Sequence, residues 1–121
     1  MGLSEAVVPP LDRTTTLPSG ERLRMRLPQR GDLPRVRVLL ARLGLTTDDL
    51  QLSRWIRFDP RRHVAVVATV LVGRTDELIG LAVMDIDGPD PELVVADEEQ
   101  CPGAKAALED AVRAHRERRI A

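Results

Sequence analysis

The sequence holds 121 residues with 18 basic and 19 acidic side chains, a formal net charge of -1, 43% hydrophobic and only 2% aromatic residues. That balance is globular and fits one domain whose core is built from Leu, Val, Ile and Ala. It excludes a membrane-spanning helix, because no apolar run approaches the roughly 20 residues one needs. It also excludes an internal disulfide or a Cys-rich zinc site, because Cys101 is the single cysteine.

The start, MGLSEAVVPP, has no basic head before an apolar stretch, so no secretory signal is read and a cytoplasmic location is expected. Residues 1–20 read as an extended leader, since Pro9, Pro10, the Thr14–Thr16 run, Pro18 and Gly20 argue against a regular element. From Glu21 to Leu27 charged and apolar residues alternate, the pattern of a half-buried strand that Pro28 ends. Asp32 caps a helix with Pro34 in its first turn; Val36, Leu39, Leu40 and Leu43 recur at helical spacing, and Gly44 stops it. A second helix is expected from Asp48 to about Arg57, with Trp55 and Phe58 filling the core beneath it.

His63–Val72 is nearly continuous β-branched apolar sequence and predicts a buried strand. Gly73–Glu77 predicts a turn, and Leu78–Ile86 a third strand with Gly80 as a bulge position, so these two strands form a hairpin. Asp87–Pro91 predicts another turn, Glu92–Ala96 a short fourth strand, and Gly103 to about Arg119 a helix with Ala104, Leu108, Ala111, Val112 and His115 along one face. The order is β-α-α-β-β-β-α, an α+β arrangement with a mainly antiparallel sheet and helices packed on it. His115 is expected at a solvent-facing or half-buried position, and His63 in a turn or capping role. With these two histidines so far apart in the chain, no metal site is expected.

Charge is unevenly spread. Glu21–His63 carries eleven Arg against five acids, and Asp76–Gln100 carries nine acids and no base. A basic patch can signal nucleic acid, but stacking aromatics are missing and the total charge is near zero. The Arg-rich stretch reads as a solvated helix face, with no nucleic-acid or membrane partner. The stretch Asp97–Lys105 joins the last strand to the last helix. A Gly in such a turn lets backbone N–H groups approach an anion, and a helix N-terminus adds about half a positive charge. From spacing alone the loop is either a phosphate cradle or a plain helix start with a turn Gly.

Four stretches together resemble the GNAT superfamily of acyl-CoA-dependent N-acyltransferases, and within it the bacterial protein-lysine acetyltransferase branch. Leu17–Arg26 is similar to that branch's "LPDG-x-x-x-x-x-R" opening, and Gly31-Asp32 leading into Leu39–Leu43 to its first helix. Asp59–Ala68 resembles "DYDRHVALVA", and Val94-Val95-Ala96-Asp97 through Gln100, Gly103 and Leu108 resembles the cofactor segment "VADxxQGxGxGxxLL". The likeness runs from about Leu17 to the end, so residues 21–121 are read as one GNAT-like N-acyltransferase domain.

The resemblance implies acetyl-CoA as cofactor and an amine, such as a protein lysine, as acceptor. It implies that Val94, Val95 and Ala96 pair with the pantetheine arm and that Gln100, Gly103, Ala104 and Lys105 hold the pyrophosphate. It further implies a carboxylate base near the start of the last strand, where Asp90 or Glu92 qualifies; the alternative is a surface acid in the DGPDP turn. The pattern also departs from the family. Lys105 stands where a small residue is usual, and Pro102 removes one backbone donor. The segment between the first two helices is short, and no Tyr is present to protonate the leaving thiolate. The branch continues past the last helix with further strands, so the resemblance implies a partial domain. An open strand edge then implies a homodimer or a sheet-completing partner. Cys101 reads as a small loop residue rather than a nucleophile. The competing reading is a catalytically inactive GNAT-like module for protein interaction, dimerisation or acyl-CoA sensing.

Overall fold

The computed structural model describes residues 11–45 and 63–120. In chain order these hold β1 (Asp12–Thr16), β2 (Arg22–Arg26), α1 (Asp32–Arg42), β3 (His63–Val72), β4 (Thr75–Asp85), β5 (Pro91–Ala96) and α2 (Ala104–Ile120). The five strands form one antiparallel sheet in the order β1-β2-β3-β4-β5, so each strand pairs with its neighbours in sequence and β1 and β5 are its edges.

Strand alternation explains why β3 is apolar at nearly every position. Val64, Val66, Ala68 and Val70 join Leu23, Met25, Ile79 and Met84 in the cluster that α2 covers with Ala104, Leu108, Ala111 and Val112. Ala65 and Val67 face the other way, with Leu81 and Val83, against Val36, Leu39 and Leu40 of α1. Both faces of the central strands are therefore dry. Gly80 makes the α2 side possible, because a Cβ there would collide with Leu108 Cδ1 and press on the Val95 carbonyl. The expected bulge lies beside it: Ala68 pairs with Gly80 and Thr69 with Leu78, leaving Ile79 as the extra residue.

Several expectations are corrected. Residues 12–16 form a regular strand rather than an irregular leader. β1 pairs along its length with β2, from Asp12↔Arg26 to Thr16↔Arg22. The Thr run supplies β-branched residues, and Pro18-Ser19-Gly20 is the hairpin turn, closed by the Leu17 N–H to the Glu21 carbonyl at 2.8 Å. Leu11 and Leu17 are buried in the core. β4 begins at Thr75 rather than Leu78, because Gly73-Arg74 alone makes the turn and Val72 pairs with Thr75. His115 is fully buried, since it continues the Leu108, Ala111, Val112 stripe at helical spacing. Its Nδ1 lies 3.1 Å from Arg118 Nη2. The expected second helix, Asp48 to about Arg57, lies outside the described residues with Trp55 and Phe58.

The corner from β2 into α1 is held by charge. Arg26 donates twice to Asp32, at 2.7 and 2.8 Å, and the Gln29 N–H donates to the same carboxylate at 2.6 Å. Gly31, not Asp32, is the cap position, and Asp32 serves the residues ahead of the helix instead. Burial alone would push the Asp32 carboxyl up. The Arg26 and Gln29 hydrogen bonds and the charges of Arg26 and Arg35 outweigh that, and hold it below its ordinary value.

Candidate functional site

β5 is the strand on which the predicted site residues sit. Its inner side pairs with β4 through Gly80↔Ala96, Leu81↔Val95, Ala82↔Val94 and Val83↔Leu93. Val94 and Ala96 pack toward α2, whereas Leu93 and Val95 pack toward α1. Among the described residues no strand pairs with the outer side of β5.

At its C-terminal end β5 turns into α2 through Asp97–Gly103. The Asp97 N–H is tied to the Ile79 carbonyl at 2.8 Å. The Gln100 N–H donates to Asp97 Oδ1 at 3.1 Å, the Cys101 N–H to the Asp97 carbonyl at 2.9 Å, and the Ala104 N–H to the Cys101 carbonyl at 3.1 Å. The Lys105 N–H points at Glu98 Oε2, 3.4 Å away. The loop's own acids thus sit where its amides point, and Pro102 offers no donor. The Gln100 side chain is also engaged, donating to Glu77 Oε2 at 2.9 Å. Arg42 of α1 reaches Asp97 Oδ2 at 3.3 Å. Gly103 adopts a φ of 93, a backbone state that favours glycine. It lies over the β1–β2 turn, where an added Cβ would touch Pro18 at 3.4 Å. Cys101 is buried in this loop. Burial, a hydrogen bond with Glu21 and the charges of Glu21, Asp97 and Glu77 push its thiol up to about 12. It is protonated at neutral pH, as a structural residue should be.

The N-terminal end is built differently. Asp90 is exposed and lies 3.1 Å from Arg113 Nη2 of α2. Arg113 also donates to the Pro89 carbonyl at 3.1 Å, and Arg116 donates to the Gly88 carbonyl. The DGPDP turn is thereby clamped to the helix, with Asp90 in the clamp. Glu92 has a different setting. Val83 pairs with Leu93 and Met84 with Pro91, so Glu92 is the extra residue of a bulge. Ligand-type atoms of Glu92, His63 and Asp85 lie within 4.8 Å of one another. His63 and Asp85 are direct cross-strand partners. The two candidate bases are thus separated: Asp90 belongs to an ion pair, and Glu92 to a carboxylate–imidazole group able to accept a proton. Sequence reading missed this group. The signal was the β3–β4 register, which sets His63 opposite Asp85 once the extra residue near Gly80 is counted.

Among the described residues no helix is long and apolar enough to cross a membrane. No family model matches the chain, and no curated protein matches it. A solved structure does. The chain is similar to the crystal structure of the GNAT domain of S. lividans PAT, with a TM-score of 0.68 and 19% sequence identity, over 89% of this chain and 73% of that one. The mixed α/β architecture, a five-stranded antiparallel sheet with α1 and α2 on opposite faces, is therefore the fold of a GNAT domain.

Proposed function

We propose that the chain binds an acyl-CoA thioester, acetyl-CoA in the first instance, and transfers the acyl group to an amine of the protein-lysine class. The observation that supports this is the layout of β5. One strand, unpaired on its outer side among the described residues, carries a bulged carboxylate at one end and leads into a helix N-terminus at the other. Its six residues span about 20 Å, long enough for an extended pantetheine arm to pair along Val94, Val95 and Ala96. Gln100, Gly103, Ala104 and Lys105 then lie at the pyrophosphate end, where the positive end of the helix dipole favours an anion.

In this reading Glu92, rather than Asp90, is the base. Glu92 takes a proton from the attacking amine, the C–N bond forms, and the C–S bond breaks with the electron pair leaving on the CoA sulfur. The chain has no Tyr, so the thiolate takes its proton from water. His63 and Asp85 flank Glu92, with ligand-type atoms within 4.8 Å. The test is calorimetric titration of acetyl-CoA and CoA, followed by thiol release with an amine acceptor. Micromolar binding with release cut about 100-fold in Glu92→Gln, and largely kept in Asp90→Asn, is expected. No binding at millimolar CoA would contradict it.

The filled donors of the Asp97–Lys105 loop favour a second reading: a GNAT-fold module that binds acyl-CoA or a protein without turnover. In that case a second copy or another protein pairs with the outer side of β5, which no strand covers among the described residues. CoA binding without thiol release, or a dimer by light scattering at micromolar concentration, selects it.

A further inference from the structure

We propose that His63, Asp85 and Glu92 form a binding site for a divalent transition-metal ion, with Zn2+ the first candidate. Two features of the fold converge on it. The β3–β4 register makes His63 and Asp85 directly opposed residues at the end of the hairpin, so both project from the same face of the sheet. Strict alternation along β5 would put Glu92 on the opposite face, with Val94 and Ala96. The bulge at Glu92 breaks that alternation and turns its carboxylate toward the pair. The outcome is one imidazole nitrogen and two carboxylate oxygens within 4.8 Å of one another.

The chemistry suits a cation. Ligands around a metal at about 2.0–2.2 Å stand roughly 3–4 Å apart, so small side-chain rotations complete the set. Asp85 Oδ1 accepts the Asp87 N–H at 2.8 Å, which orients the carboxylate. Asp90 and Asp97 each have an Arg partner, whereas Asp85 and Glu92 are gathered with His63. A dication supplies the charge that two adjacent carboxylates need. A mixed nitrogen and oxygen set favours zinc over magnesium, and three protein ligands leave a coordination position open to water or another ligand.

This site stands independently of acyl transfer. If both hold, the ion and the incoming amine compete for the same Glu92 oxygen, and zinc inhibits transfer. The experiment uses tag-free, chelator-stripped protein titrated with ZnCl2 by calorimetry, with magnesium as competitor. One ion per chain at micromolar affinity is expected. It should weaken at least about tenfold in Glu92→Gln and Asp85→Asn and stay unchanged in Glu99→Gln, an exposed acid at the other end of β5. Glu92 is itself exposed, so its variant keeps the fold, which far-UV circular dichroism checks. In the same titration the imidazole resonances of His63 should shift and those of His115 should not. No binding, or binding equal in Glu92→Gln and the parent chain, overturns the proposal.

Discussion

The two ends of β5 are built on opposite plans. At the C-terminal end nearly every polar group named has been used internally: Asp97 and Glu98 accept from the loop amides, Gln100 from its side chain holds Glu77, and Arg42 holds Asp97. At the N-terminal end the bulge gathers Glu92 with His63 and Asp85. The first end is organised by its own contacts, and a ligand there must displace carboxylates. The second brings one imidazole and two carboxylates within 4.8 Å of one another, a donor set suited to a cation. Resemblance to an acyltransferase points first to the loop, whereas the local chemistry points to the bulge.

Substitutions can break this contrast in graded ways. Asp32→Asn should disturb both ends alike, since it leaves Arg26 without its buried carboxylate partner; a loss of about 4 kcal/mol in denaturant unfolding is expected. The sign with pH follows from the lowered Asp32 value. Its contribution is present above the unfolded value of about 4 and fades as pH falls below that, through the folded value. Parent and Asp32→Asn stabilities should therefore converge in acid. Gly80→Val should strike mainly the C-terminal end, forcing Leu108 away and lifting α2 from Ala96, at about 3 kcal/mol. Hydrogen exchange should then rise in α2 more than in α1.

Glu92→Gln should act on the other end alone. Thiol release falls about 100-fold while unfolding changes by less than about 0.5 kcal/mol, because the residue is exposed. The mildest change is Glu98→Gln. It removes the carboxylate nearest the Lys105 N–H, and CoA affinity should tighten about threefold as the helix dipole becomes available to an outside anion. An unchanged affinity would mean that Glu98 does not guard the loop.

Much of the frame was legible in the sequence. β3 has the expected bounds, His63–Val72, because its run of Val and Ala is flanked by charge and by Gly73. β5 and α2 start within a residue of expectation, because Pro and Gly punctuate them. β1 was hidden by prolines on both sides, which suppress a strand reading although the Thr run between them pairs well. His115 was misjudged in exposure, not in place: a polar ring on an apolar stripe takes the burial of the stripe. The candidate site was legible only in part. Asp90 and Glu92 look equivalent until the bulge and Arg113 separate them, and both depend on contacts far along the chain. The state of the loop amides was not readable at all, since the same residues could have turned their carboxylates to solvent.

The most direct measurement of the central claim is a titration of CoA into isotope-labelled protein, followed through backbone amide resonances. The account predicts saturable shifts along one path, at Val94, Val95, Ala96, Gln100, Gly103 and Lys105, with β1 and the β1–β2 turn little changed. Shifts absent at millimolar CoA, or confined to residues off β5 and its loop, would contradict it.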